Sequence, residues 1–142
     1  MLKTSLYVLG GVLVLVGLLG FVNDPVLGIF EVNTLHNLVH IVTGLILLWL
    51  GYAGGSTAVL GAKVFGVVYL LVAVLGFLSG DMILGLIEVN MADHILHLLL
   101  AAVFLYLGFG LGKKESGNAS AVSPGPQNQA PMDSGNTMPP QQ

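Results

Sequence analysis

The sequence predicts an all-α fold, an integral membrane four-helix bundle built from a tandem duplicated helical hairpin. Three observations predict it. Of 142 residues, 55% are hydrophobic and only 8% are charged, whereas a soluble domain carries roughly 25% charged residues. Four apolar runs follow one another, each near the ~20 residues that cross a bilayer. Finally, residues 27–40, "LGIFEVNTLHNLVH", recur at an offset of 57 as residues 84–97, "LGLIEVNMADHILH".

The first helix is expected over about 4–22 ("TSLYVLGGVLVLVGLLGFV"), a stretch without charge. It is longer than the apolar region of a signal peptide and lacks an A-x-A-like cleavage site, so it reads as a retained helix. The second is expected over about 34–52, uncharged apart from two His. "AGGST" then reads as a short loop, and the third helix as about 61–78, with Lys63 its one charge. The fourth covers about 91–109, with one Asp near its start. In lipid the backbone must satisfy its own hydrogen bonds, which makes these runs helices. Frequent Gly is no objection there. Residues 1–112 thus form the membrane domain. Residues 113–142, rich in Pro, Ser, Gly, Gln and Asn, have little to bury and read as a disordered cytoplasmic tail.

The repeats cover about 4–52 and 60–109. Leu27, Gly28, Glu31, Val32, Asn33 and His40 match Leu84, Gly85, Glu88, Val89, Asn90 and His97, and Asp24 matches Asp81. Each repeat crosses the membrane twice, so both halves take the same orientation. They should be related by a pseudo-twofold along the membrane normal. Lys3, Lys63, Lys113 and Lys114 all fall on one side; the other side holds Asp24, Glu31, Asp81 and Glu88. The positive-inside rule then places both termini in the cytoplasm of a multi-pass plasma-membrane protein. Tyr7, Trp49, Tyr52, Tyr106 and Phe109 lie near the Lys end and fit an interfacial aromatic belt. Recurring Gly and Ala in the helices suit close helix packing. The lipid bilayer is the expected partner, and a homo-oligomer is compatible with this reading.

Composition also excludes. There is no Cys, which removes disulfides, thiolate metal sites and Cys nucleophiles. Four Lys and no Arg make no basic patch, so nucleic-acid binding has no support. No nucleophile–base pair, phosphate loop or dinucleotide fingerprint is present, and no catalytic residue is assigned.

The polar groups are concentrated in the repeat. Asn33 and Asn90 directly precede apolar helices and suit N-caps. Asp93 stands three residues after Asn90, where a carboxylate favours the helix dipole. His40 lies seven residues beyond its cap, about 10 Å along the axis. That depth is inside the hydrocarbon edge, as for His97, and ionisable groups there face the bundle interior and find partners. His36 is one turn outward of His40 on the same face; its counterpart is Asp93. His94 aligns with Asn37. Asp93 is placed to accept a hydrogen bond from His97. His36, His40, Asp93 and His97, with Glu31, Glu88 and the extra His94 nearby, carry the ligand types of a Zn, Mn or Fe site. Two facing His also suit axial haem ligation. Interhelical hydrogen bonds and proton or small-solute handling are the other readings.

The stretches "GIFEVNTLHNLVHIVTGLILLW" and "GLIEVNMADHILHLLLAAVFL", with "GVVYLLVAVLGF" between them, resemble the family numbered 4383 in the domain-of-unknown-function series. The resemblance covers roughly residues 4 to 111. It implies a bacterial four-helix membrane protein and brings no catalytic residues with it. His36, His40, Asp93 and His97 match the family's polar positions, while His94 stands where a less polar residue such as Asn is expected. The functional expectation is a structural or stress-related membrane protein. Metal or haem binding and proton or solute transport stay open beside it.

Overall fold

A computed structural model describes residues 1–111; the tail expected over 113–142 lies outside the described residues. Four helices form the fold: α1 (Leu2–Leu19), α2 (Thr34–Ala53), α3 (Gly55–Ser79) and α4 (Met91–Leu105), the last continued by a π-helical turn at Tyr106–Leu111. Two short strands, β1 (Met82–Ile83) and β2 (Ile87–Glu88), pair antiparallel between α3 and α4. Each helix, with α4 counted through its π turn, is long and apolar enough to cross a membrane.

The third helix starts earlier than expected. No loop covers "AGGST": α2 ends at Ala53, α3 begins at Gly55, and the reversal is made by Gly54 (φ 66°) and Gly55 (φ 53°). Gly54 tolerates that left-handed φ because it has no Cβ. The following residues, Ser56 to Leu60, contain neither Gly nor Pro to delay a helix. The first helix instead ends earlier, at Leu19, and unwinds through i→i+3 bonds from Phe21 to Leu18 and from Val22 to Leu19.

Helices pack within each hairpin through small residues. A Cβ on Gly10 would come within 2.8 Å of the Gly44 carbonyl, and one on Gly44 within 2.6 Å of the Gly10 carbonyl. The α1 and α2 backbones therefore touch directly. In the second hairpin Gly66 of α3 meets Leu105 of α4, and Gly108 meets Lys63. Close backbone approach of this kind is what associates helices in lipid, where burial of apolar area drives little. Leu and Val side chains on all four helices, among them Val8, Leu45, Leu71 and Leu99, point outward. That would be costly in water; in a bilayer it is the solvated state.

The interior has two layers. Toward the Lys3 and Lys63 end, Leu2, Leu6, Leu47, Leu50, Ala58, Ala62, Phe104 and Leu107 make an apolar core. Toward the loop end, the buried residues turn polar: His36, Asn37, His40, Asp93, His94 and His97.

Both loops fold as small hairpins at this polar end. Val26 bridges Phe30, and Ile83 pairs with Ile87. At each tip two consecutive residues have positive φ: Leu27 (56°) and Gly28 (72°), then Leu84 (53°) and Gly85 (69°). The Val26 carbonyl accepts from Ile29 N–H and the Ile83 carbonyl from Leu86 N–H, the pattern of a type I′ turn. Gly suits the second position; Leu at the first is strained.

Candidate metal centre

Three histidines converge where α2 meets α4. The ring centroids of His36 and His40 are 4.5 Å apart, those of His36 and His97 5.9 Å, and those of His40 and His97 6.2 Å. One ring nitrogen from each lies within 4.8 Å of the others. All three residues are at least 96% buried. They line one end of a cavity of about 90 Å³. Its walls are otherwise apolar, with Val39 of α2, Val68 and Val72 of α3, and Ile83 and Val89 of the second loop. Thr43 and Tyr69 add the only hydroxyls, and the Tyr69 ring packs 5.7 Å from that of His97.

The local sequence explains this placement. Asn33 has extended backbone and its side-chain oxygen accepts the His36 N–H at 2.9 Å, starting α2. Positions 36, 40 and 43 then fall within one helical stripe, the stripe that faces the cavity. Asn90 starts α4 in the same way, accepting Asp93 N–H at 3.1 Å, while Asp93 accepts Asn90 N–H at 3.0 Å. This is a capping box with Asp in the acidic position.

The capping groups also join the two halves. Asn33 Nδ2 donates to the Leu86 carbonyl at 2.8 Å, and Asn90 Nδ2 donates to the Ile29 carbonyl at 2.6 Å. Donors and acceptors are counterparts in the repeat, so each hairpin's cap holds the other hairpin's turn. His36 adds a third link, its Nδ1–H donating to the Glu88 carbonyl at 2.8 Å. A carbonyl only accepts, which fixes the tautomer: the other nitrogen, Nε2, carries the free lone pair. That Nε2 is buried and has no partner, as are Nδ1 of His40 and Nδ1 of His97.

Other expected members stand apart. Asp93 does not accept from His97; in the first turn of α4 its carboxylate is taken up by the Asn90 N–H. His94 points away from the cluster. Its ring lies against Gly76 of α3, where a Cβ would collide with it, and beside Phe77 at 5.3 Å. Asn37, its counterpart, lies against Gly20 of α1 in the same manner. Glu31 is exposed, and Glu88 offers the cluster its backbone rather than its carboxylate. Among the described residues, only His36, His40 and His97 approach ligating distance. Thr43 and Tyr69 were not singled out by the sequence reading. Their signal was available: Thr43 follows His40 by three residues, and Tyr69 is a lone hydroxyl-bearing ring in mid-helix.

A family profile described as Domain of unknown function (DUF4383) matches residues 3–110, which takes in both hairpins and all three converging histidines. The chain belongs to this family. No curated protein and no solved structure matches it. The DUF4383 match and the four apolar helices together describe a multi-pass membrane protein. The family description assigns no activity, so chemistry has to be argued from the cavity itself.

Proposed function

We propose that this chain binds a transition-metal ion within a bacterial plasma membrane, through His36, His40 and His97. The observation that carries this reading is the convergence of His36, His40 and His97, each bringing one ring nitrogen within 4.8 Å of the others and each holding a buried ring nitrogen without a partner. A buried polar group without a partner costs on the order of 1–3 kcal/mol, and three imidazoles this close together can be relieved by one shared ion. Metal–imidazole bonds of about 2.0 Å set ligand nitrogens roughly 3.3–3.5 Å apart, so the rings need to close by less than about 1.5 Å. His36 already has the outer support typical of such ligands: its far nitrogen donates to a backbone carbonyl, which orients the ring. Haem fits less well, because about 90 Å³ holds water-sized ligands, not a macrocycle.

The structural role expected for the cluster passes, in this reading, to Asn33 and Asn90, whose reciprocal bonds link the halves without the histidines. A transmembrane proton or solute route has little support. Below Thr43 and Tyr69 the interior is closed by Leu6, Leu47, Ala62 and Phe104. The pseudo-twofold relation of the hairpins and the cytoplasmic placement of both termini belong to the same proposal. Lys3 lies by Gly54 and Lys63 by Gly108, at the helix ends away from the two loops, and the positive-inside rule supports an outer-face position for the histidine centre.

Elemental analysis of the full chain purified in mild detergent tests the reading. A transition metal near one ion per chain is expected, lost in His40→Ala and in His97→Ala. A wild-type chain that neither retains nor takes up any transition metal would falsify it. A periplasmic reporter fused after residue 112 should be inactive; an active one would reverse the orientation.

A further inference from the structure

We infer that the centre is built for a monovalent soft cation, copper(I), in preference to Zn²⁺ and other divalent ions. The inference rests on the metal-binding reading above. Its first support is ligand number. Three imidazoles converge, and no thiolate or carboxylate among the described residues comes within ligating distance. Copper(I) is satisfied by three nitrogen ligands in a plane. Zn²⁺ is four-coordinate, so beside the three rings it would need a water in the cavity or a hydroxyl of Thr43 or Tyr69, amid walls of Val, Ile and Phe, whereas copper(I) needs no fourth ligand.

The second support is charge. The ligands are neutral, so the ion keeps its full charge at a depth where the surroundings are hydrocarbon. The cost of placing an ion in a low dielectric rises with the square of its charge, fourfold from one to two. Of the carboxylates among the described residues, only Asp93 is buried. It lies within Coulombic range of His36, held by the Asn90 N–H rather than free to ligate. A single carboxylate supplies at most one negative charge, which can match a monovalent ion but falls short of a divalent one. A hard divalent ion would also want oxygen ligands, yet the Glu31 and Glu88 carboxylates stay outside the cluster.

The test uses the full chain in detergent under anaerobic conditions. Copper(I), kept reduced by ascorbate, is titrated against bathocuproine disulfonate, and Zn²⁺ against a chelating dye. One copper(I) per chain is expected, held at least about 100-fold more tightly than Zn²⁺. X-ray absorption should report three nitrogens at about 2.0 Å. Asp93→Asn keeps an acceptor for the Asn90 N–H and removes the charge. Because Coulomb energy is proportional to ion charge, it should weaken copper(I) by some factor and Zn²⁺ by the square of that factor. Zn²⁺ bound as tightly as copper(I), or more so, overturns the inference while leaving the metal-binding reading intact. Binding of neither ion overturns both. Copper(I) affinity unchanged in Asp93→Asn removes the charge-balance argument.

Discussion

Replacing Asn33 by Ala removes two interactions at once. The side-chain oxygen no longer accepts the His36 N–H, a cap worth about 1 kcal/mol. The side-chain amide no longer donates to the Leu86 carbonyl, a bond worth a net of about 1 kcal/mol. The expected cost is about 2 kcal/mol, close to a 30-fold shift in the unfolding constant. Asn33→Ser separates the two, because Ser still caps but cannot reach the other hairpin; it should cost about 1 kcal/mol. Asn90→Ala and Asn90→Ser should behave alike through the Ile29 carbonyl. Both links join the same pair of loops, so losing one lets the loops part and weakens the other. The double Ala variant should therefore cost less than the roughly 4 kcal/mol sum of the singles, which marks coupled sites. The assay is equilibrium unfolding in mixed micelles with increasing dodecyl sulfate, followed by circular dichroism. Ser variants indistinguishable from wild type would show that the cross-hairpin bonds contribute nothing and would sink this account of how the halves are held.

Three further outcomes follow from the packing. Gly44→Ala forces a methyl to within 2.6 Å of the Gly10 carbonyl and should cost roughly 1–3 kcal/mol, whereas Gly11→Ala, with nothing within 4 Å, should leave the same unfolding curve unchanged or shifted toward stability. Gly76→Ala should destabilise the α3–α4 hairpin by displacing the His94 ring yet leave metal uptake by the three clustered histidines intact; loss of metal would put His94 back in the centre. Leu27→Asn and Leu84→Asn should each stabilise by up to about 1 kcal/mol, since Asn tolerates the left-handed conformation that costs Leu about 1–2 kcal/mol, and unchanged midpoints would argue against strain at these tips.

The histidine centre shows which parts of a site periodicity can reveal. The 57-residue offset and the depth of seven residues past each cap bring His40 and His97 to one level, and the four-residue step adds His36. These are statements about rise and rotation along a helix, which sequence carries well. Not every nearby polar group joins that cluster. At 100° per residue, Asn37 and His94 stand about 100° from His36 and Asp93 and about 60° to the same side of His40 and His97, which turns them out of the cavity stripe. The sequence held that information. Asn37, Gly44 and Gly51 are seven apart, as are His94, Ala101 and Gly108. Those small residues mark the face that packs inside each hairpin, and a polar residue in register with them must pack there too. Asp93 stays in its cap and out of the cluster for another reason. Its side chain has two candidate partners, a ring one turn away and a backbone N–H at the helix start, and the short Asp side chain satisfies the nearer. The Glu88 carbonyl that orients His36 left no trace in the sequence, because any residue has a carbonyl. It is supplied by the path of a loop folded around two positive-φ residues, one of them a Leu, a residue that local preference would not put there. The asymmetry between the repeats follows from these two stripes. On the cavity stripe, His36 against Asp93 gives one half a ring of the histidine cluster and the other a buried carboxyl of the capping box. On the packing stripe, Asn37 against His94 changes only what fills the space over Gly20 and Gly76. The sequence match between the hairpins is thus broken at the two positions that decide what lines the cavity and what fills the packing face.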